Sequence, residues 1–155
     1  MNTAEKLVRT LTERKMTCAT AESCTGGGVG YAITSVSGAS DVYWGGVVSY
    51  DNSVKRDVLG VPESVLAERG AVSPECAAAM AEGARRLLKT DLAVSLTGIA
   101  GPGGGSAEKP VGLVWFGLSS ATGVKTEKKI FAGDRETVRA AAVEHALGLL
   151  LSVCG

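Results

Sequence analysis

The sequence predicts an α/β fold: a three-layer α/β/α sandwich around a mixed parallel and antiparallel sheet. Three observations carry this. Segments with helical spacing of apolar residues are interspersed with short runs rich in β-branched and aromatic residues, in the order α-β-α-β-α-α-β-β-β-α. The last three strand-like runs follow one another with no helix between them, so part of the sheet is antiparallel. The 155 residues, 45% hydrophobic and 21% charged, suffice for one domain with a buried core and exclude a disordered, collagen-like or coiled-coil chain.

Each element follows from local chemistry. Thr3 to Arg14 carries Leu7 and Leu11 at i and i+4, with Val8 beside them, which gives a helix with one apolar stripe. Met16 to Ala21 is a short strand, Glu22 to Gly28 a tight turn, and Val29 to Val36 a helix built on Val29, Ile33 and Val36. Ser37 to Ser40 reads as a turn and Val42 to Tyr50 as a strand. Asn52 to Leu59 is a short helix, and Pro62 opens another helical turn. Ser73-Pro74-Glu75 is a strong helix start: a capping hydroxyl, proline at the first position, then an acid at the positive dipole end. That helix runs to about Lys89, with Ala77, Met80, Ala84, Leu87 and Leu88 on one face. Leu92 to Leu96 is a central strand that ends in a glycine-rich loop from Thr97 to Ser106. Val111 to Ser119 and Lys125 to Phe131 are the remaining strands, and Asp134 caps a last helix through Val138, Ala142, Leu147 and Leu150.

Composition narrows the function. With 16 basic and 16 acidic residues, no positive excess exists to neutralise a phosphate backbone, which argues against nucleic acid as a partner. Cys18, Cys24, Cys76 and Cys154 form no C-x-x-C pair and His145 is the lone histidine, so no zinc site is expected. The N-terminal segment is charged and amphipathic rather than a secretory leader, and no apolar run of about 18 residues is expected to span a membrane. Reduced thiols and a cytoplasmic location are the simplest expectation.

Three segments could carry chemistry. In Glu22-Ser23-Cys24-Thr25-Gly26-Gly27-Gly28, a strand leads through a serine into glycines that open a helix. Glycine permits the sharp turn and close approach of a ligand, and helix-start amides suit a developing oxyanion. Ser23 is then a nucleophile at a strand-to-helix turn; equally, Ser23 and Thr25 are simply helix caps. Cys24 is a rival nucleophile or a small packed residue. In Tyr50-Asp51-Asn52-Ser53-Val54-Lys55, Lys55 is either a base made available by partial burial or a solvated helix lysine. A Ser-His-Asp arrangement on His145 has no other support, and His145 fits a helix surface or subunit contact better. The loop Thr97 to Ser106 offers successive amides for an anion, after a strand where α/β sheets bind ligands. It lacks the Gly-Lys-Ser/Thr of a P-loop and the spacing of a dinucleotide fingerprint; the alternative is a mobile surface loop. Arg135 either caps a helix with Asp134 or reaches a phosphate.

Several blocks in order resemble one family. Thr20-Ala21-Glu22-Ser23-Cys24-Thr25-Gly26-Gly27 is similar to the opening motif of the CinA C-terminal-domain family. Gly46 to Asn52 with Lys55 and Leu59-Gly60-Val61, then Gly70-Ala71-Val72-Ser73, resemble its next two blocks. Thr97-Gly98-Ile99-Ala100-Gly101-Pro102-Gly103-Gly104 with Glu108-Lys109-Pro110-Val111-Gly112 resembles the fourth, and Gly133-Asp134-Arg135 the last. Together the blocks span nearly the whole chain.

The resemblance implies a single domain over residues 1–155, in the family's stand-alone rather than fused form. It also implies a nicotinamide-nucleotide amidohydrolase, which converts nicotinamide mononucleotide and water to nicotinate mononucleotide and ammonia in pyridine nucleotide salvage. The implied catalytic set is Ser23 as nucleophile, Lys55 as base and Tyr50 beside them. The substrate-binding set is Glu22, Thr25, Gly26, Gly27, Asn52, Thr97, Gly98, Ile99, Ala100, Gly101, Gly104 and Arg135. The Thr97 loop is expected to hold the phosphate or the pyridine ring, and helix-start amides the oxyanion. No metal or organic cofactor is required, and a homo-oligomer, a dimer or larger, is expected. Competing readings are an amidase for another carboxamide, a non-catalytic nucleotide-binding domain, and a metal-dependent phosphate hydrolase.

Overall fold

A computed structural model describes residues 1–154. Helix α1 (Thr3–Arg14) begins where the Asn2 side chain accepts from the Glu5 amide and ends at Lys15 in the left-handed region, and it buries Leu7 and Leu11 completely. Strand β1 (Cys18–Glu22) follows, then α2 (Gly28–Thr34), a 3-10 turn (Ala39–Asp41) and β2 (Tyr43–Val48). Helices α3 (Asn52–Asp57), α4 (Glu63–Glu68) and α5 (Pro74–Leu88) lead to β3 (Leu92–Gly98), the hairpin β4 (Leu113–Ser120) and β5 (Gly123–Ile130), and finally α6 (Arg135–Cys154). The expected caps hold: Ser73 accepts from the Cys76 amide, and Asp134 from the Thr137 amide.

The five strands form one sheet in the order β2-β1-β3-β4-β5. Strand β1 runs parallel to β2 and β3, whereas the β3–β4 and β4–β5 pairings are antiparallel. This is the mixed sheet that three successive strand-like runs require. Helices α1, α2 and α6 cover one face over Leu7, Leu11, Ile33, Val94, Leu96, Phe116 and Leu147. Helix α5 covers the other over Ala19, Ala21, Leu59, Met80, Ala84 and Ala93.

The α5 face is floored with small residues because the helix backbone lies directly on the sheet. Ser95 Oγ donates to the Ala77 carbonyl at 2.6 Å, and a Cβ added at Gly117 would lie 2.3 Å from that same carbonyl oxygen. On the helix itself, a Cβ at Gly83 would fall 2.0 Å from the Leu59 carbonyl oxygen. In an exposed helix, Gly→Ala stabilises by about 1 kcal/mol. Here the clash with backbone reverses the sign, and Gly83→Ala is expected to lower stability by about 1–3 kcal/mol. A urea midpoint equal to or above the parent's would refute the close packing of α5.

Three expectations need correction. Leu87, assigned to the buried face of α5, is 50% exposed, because the face is carried by Cys76, Ala77, Met80, Ala81, Gly83 and Ala84. The fourth strand begins at Leu113 rather than Val111, since Gly112 adopts φ 95° and turns the chain just before it. Finally, α6 has 20 residues and is long and apolar enough by composition to pass for a membrane span. Its Val138, Ala142, Leu147 and Leu150 are buried in the core.

Candidate active site

Strand β1 lies between two parallel neighbours, and the chain leaves β1 over one face (α2) and β2 over the other (α5). A crevice opens at the carboxyl ends of such strands. Here it is a cleft of about 270 Å³ lined by Ser23, Cys24, Tyr50, Asn52, Lys55, Ala71, Val72, Thr97 to Gly101, Gly103, Gly104 and Arg135.

Alternation along β1 puts Ala19 and Ala21 against α5, and Thr20 and Glu22 on the α2 side. Glu22 is therefore buried beneath α2. Its carboxylate accepts from Thr25 Oγ1 at 2.5 Å and from the Val29 and Gly30 amides at 2.9 and 3.0 Å. A buried carboxylate so satisfied acts as the cap of α2, whose own N-cap, Gly27, has no side chain. This corrects two expectations. The side chains of Glu22 and Thr25 bind each other beneath α2 rather than facing the cleft, and with Gly26 and Gly27 they shape the turn that presents Ser23. The first amides of α2 are engaged, Gly28 by the Thr25 carbonyl and Val29 and Gly30 by Glu22, and cannot also hold an oxyanion. The amides of Cys24, Thr25 and Gly27, just ahead of the helix, have no carbonyl, carboxylate or hydroxyl acceptor among the described residues.

Ser23 is not a cap. Its amide donates to the Leu96 carbonyl, tying the turn to β3, and its hydroxyl lies 3.1 Å from Lys55 Nζ. Lys55 is 1% exposed, the largest fully buried side chain of the protein. Its Nζ donates to the carbonyls of Ser49 at 2.7 Å and Tyr50 at 3.0 Å. Two carbonyls and one hydroxyl accommodate an ammonium with three N–H donors and, once the hydroxyl turns its proton inward, a neutral amine with two donors and a lone pair. Burial pushes the Lys55 pKa down, opposed by Cys76, Asp51 and Cys24, and no carboxylate among the described residues forms an ion pair with it. The Ser23 proton therefore has an acceptor in hydrogen-bond reach, the arrangement that activates a serine.

The rival nucleophile and base lose on geometry. Burial pushes the Cys24 thiol up to about 11, so it remains protonated at neutral pH. His145 Nε2 donates to the Glu127 carboxylate at 2.7 Å, and the ring lies against Phe116, on the α6–β5 side and not in the cleft.

The opposite wall is the loop after β3. Thr97 Oγ1 donates to the Ala71 carbonyl at 2.8 Å, and Gly101, at φ 83°, leaves no room for a Cβ, which would lie 2.4 Å from Val111. Arg135 closes the rim. It donates to the Gly101 carbonyl at 2.8 Å and reaches the Tyr50 hydroxyl at 3.4 Å. Asp134 caps α6, whereas Arg135 lines the cleft. The Tyr50 hydroxyl contacts Arg135; it is the Tyr50 carbonyl that meets Lys55. Lys109 lies outside the cleft, its amine bound to the Arg69 carbonyl. Sequence reasoning missed Ala71, Val72 and Gly103 in the lining, and Ser49 and Arg139 behind it.

The family model of the CinA C-terminal domain matches residues 1–154. The chain belongs to the CinA C-terminal domain family. Among curated relatives, CinA-like proteins of a Synechococcus species and of Geobacter sulfurreducens are 50% and 46% identical to this CinA domain, each over 150 residues covering 95% and 96% of the chain. The chain spans 36% of each of those proteins. Among solved structures, the competence/damage inducible protein CihA from Agrobacterium tumefaciens superposes with a TM-score of 0.94 at 41% identity, covering 100% of this chain and 98% of that one. A CinA superfamily protein from Enterobacter cloacae gives a TM-score of 0.92 at 31% identity, covering 100% and 94%.

Proposed function

We propose that this CinA domain is an amidohydrolase that converts nicotinamide mononucleotide to nicotinate mononucleotide and ammonia, in the cytoplasm, as a step of pyridine nucleotide salvage. The observation that carries the reading is the buried Lys55 amine, without a carboxylate partner among the described residues, 3.1 Å from the Ser23 hydroxyl at the floor of the cleft. The choice of substrate rests on the family resemblance; the choice of reaction rests on this geometry.

The steps balance as follows. Lys55 takes the Ser23 proton as Oγ bonds to the carboxamide carbon, and the carbonyl oxygen becomes an oxyanion facing the unengaged amides of the turn after Ser23, Gly26 excepted. Collapse breaks the C–N bond, and the Lys55 ammonium gives its proton to the departing nitrogen, releasing ammonia. Neutral Lys55 then deprotonates water, which attacks the acyl-serine. The second collapse frees nicotinate mononucleotide, and the proton returns to Ser23 Oγ. Arg135, at the rim, suits the phosphate of such a substrate.

The test is ammonia release from nicotinamide mononucleotide, without added metal, beside nicotinamide riboside and other carboxamides. Release from the nucleotide alone is expected. Preference for another carboxamide would keep the chemistry and replace the substrate, and a folded protein that releases no ammonia from any of them would sink the amidohydrolase reading.

The pH dependence has a definite sign. Only neutral Lys55 accepts a proton, so kcat/KM is expected to fall as pH drops through its folded pKa, on an acid limb displaced below the ordinary lysine range. In the window between those two values the unfolded chain binds the extra proton, so stability rises with pH there. An acid limb with the temperature dependence of a carboxylate would overturn the assignment.

The uncharged edge strand β2, with Trp44 and Val48 exposed, supports assembly as a homo-oligomer. Sedimentation as a monomer at micromolar concentration would remove that reading.

A further inference from the structure

Arg139 stands on α6, one turn beyond Arg135, and is absent from the cleft lining. Its guanidinium nevertheless grips the nucleophile turn. Nε donates to the Cys24 carbonyl at 3.0 Å and a terminal nitrogen to the Thr25 carbonyl at 3.3 Å. Gly26, next in the turn, adopts φ 60°, the left-handed conformation that favours glycine.

The peptide plane turns this grip into a statement about donors. In a trans peptide the C=O and the N–H of the next residue point in opposite directions. Drawing the Cys24 carbonyl toward Arg139 therefore sends the Thr25 amide away from α6. Thr25 is 3% exposed as a residue, and its amide meets no carbonyl, carboxylate or hydroxyl among the described residues. An amide without a partner inside a fold is uncommon and marks a place where a ligand atom can be received. A guanidinium on a carbonyl also polarises that peptide and strengthens its N–H as a donor.

We infer that Arg139 is a positioning residue that clamps the Cys24 and Thr25 carbonyls so that the Thr25 amide stays free and aligned as an oxyanion donor for attack by Ser23. It touches neither substrate nor base; it acts through the backbone. The inference rests on the amidohydrolase reading for its reaction but not for its test.

The experiment compares wild type, Arg139→Lys and Arg139→Ala, each shown to be folded by a cooperative urea transition. Lysine keeps the charge but lacks the fork. Two reactions are followed: turnover of nicotinamide mononucleotide, and the rate of Ser23 phosphonylation by a fluorophosphonate, read by intact mass. The expected result is a fall in kcat of about 10–100-fold in Arg139→Ala, below the 10²–10³-fold typical of deleting a donor outright. KM should change less than about threefold, the acid limb of the pH profile should stay in place, and phosphonylation should slow in parallel. Added methylguanidine should restore part of the loss in Arg139→Ala and none in Arg139→Lys. A raised KM with unchanged kcat, a displaced acid limb, or unaltered phosphonylation would overturn the inference. Wild type that is phosphonylated but does not turn over the nucleotide overturns only the substrate, and the phosphonylation ratio then decides on Arg139. Wild type inert to both overturns the nucleophile and the inference with it.

Discussion

Ser23→Ala is expected to reduce ammonia release by about 10⁴- to 10⁶-fold, the range seen when a serine nucleophile is deleted from a preorganised site. That corresponds to about 5–8 kcal/mol of lost transition-state stabilisation. No neighbour can take over. The adjacent Cys24 thiol is pushed up to about 11 by burial, and Thr25 Oγ1 is bound to the Glu22 carboxylate. The fold should survive, because Lys55 keeps its two carbonyl partners and loses only the hydroxyl at 3.1 Å, worth about 1 kcal/mol. Substrate affinity, measured by calorimetry on the inactive variant, should stay within a few-fold of the parent's KM. A variant that keeps more than a hundredth of the activity would show that water, not Ser23, is the attacking group.

Lys55→Arg is the second large effect: a loss of about 10²- to 10⁴-fold or more, the contribution of a positioned general base. A guanidinium remains protonated at every working pH and can donate to Ser49 and Tyr50, but it offers Ser23 no lone pair. Arginine is also larger than the site, which leaves Lys55 1% exposed, so Lys55→Met serves as its companion. Methionine fits an unbranched channel but strands the Ser49 and Tyr50 carbonyls, at about 1–3 kcal/mol each. Both variants should be inactive, and residual activity in Lys55→Met should be flat across the pH range of the parent's acid limb. Near-parental turnover in either, with the limb in place, would remove Lys55 as the base.

The elements that sequence makes legible are those governed by short-range chemistry. Ser73-Pro74-Glu75 announces α5 because cap, proline and acid each act within one turn. The boundaries of α1 coincide with its apolar stripe, and the antiparallel half of the sheet follows from three strands in succession. In the site, Ser23, Lys55 and the Thr97 to Gly104 loop are found where their motifs place them. What is lost depends on which way a side chain faces. Glu22 beside a serine invites a ligand, yet strand alternation sends it under α2. Nothing local marks Lys55 as buried, since its burial comes from the Ser49 and Tyr50 carbonyls folding back over its amine. Arg139 has the spacing of an ordinary surface arginine, and its partners are 115 and 114 residues away.

That distance has a consequence for the order of events in folding. The nucleophile turn is complete only when β1 has paired in parallel with β3 and when α6, the last element of the chain, has docked. Parallel pairings and contacts so remote in sequence carry a large loop-closure entropy and form late. Competence for chemistry should then be the slowest property to return after dilution from denaturant, lagging the recovery of helical signal. On a ribosome, the serine is made long before α6 and stays unarmed until that helix has been made and has docked on the turn.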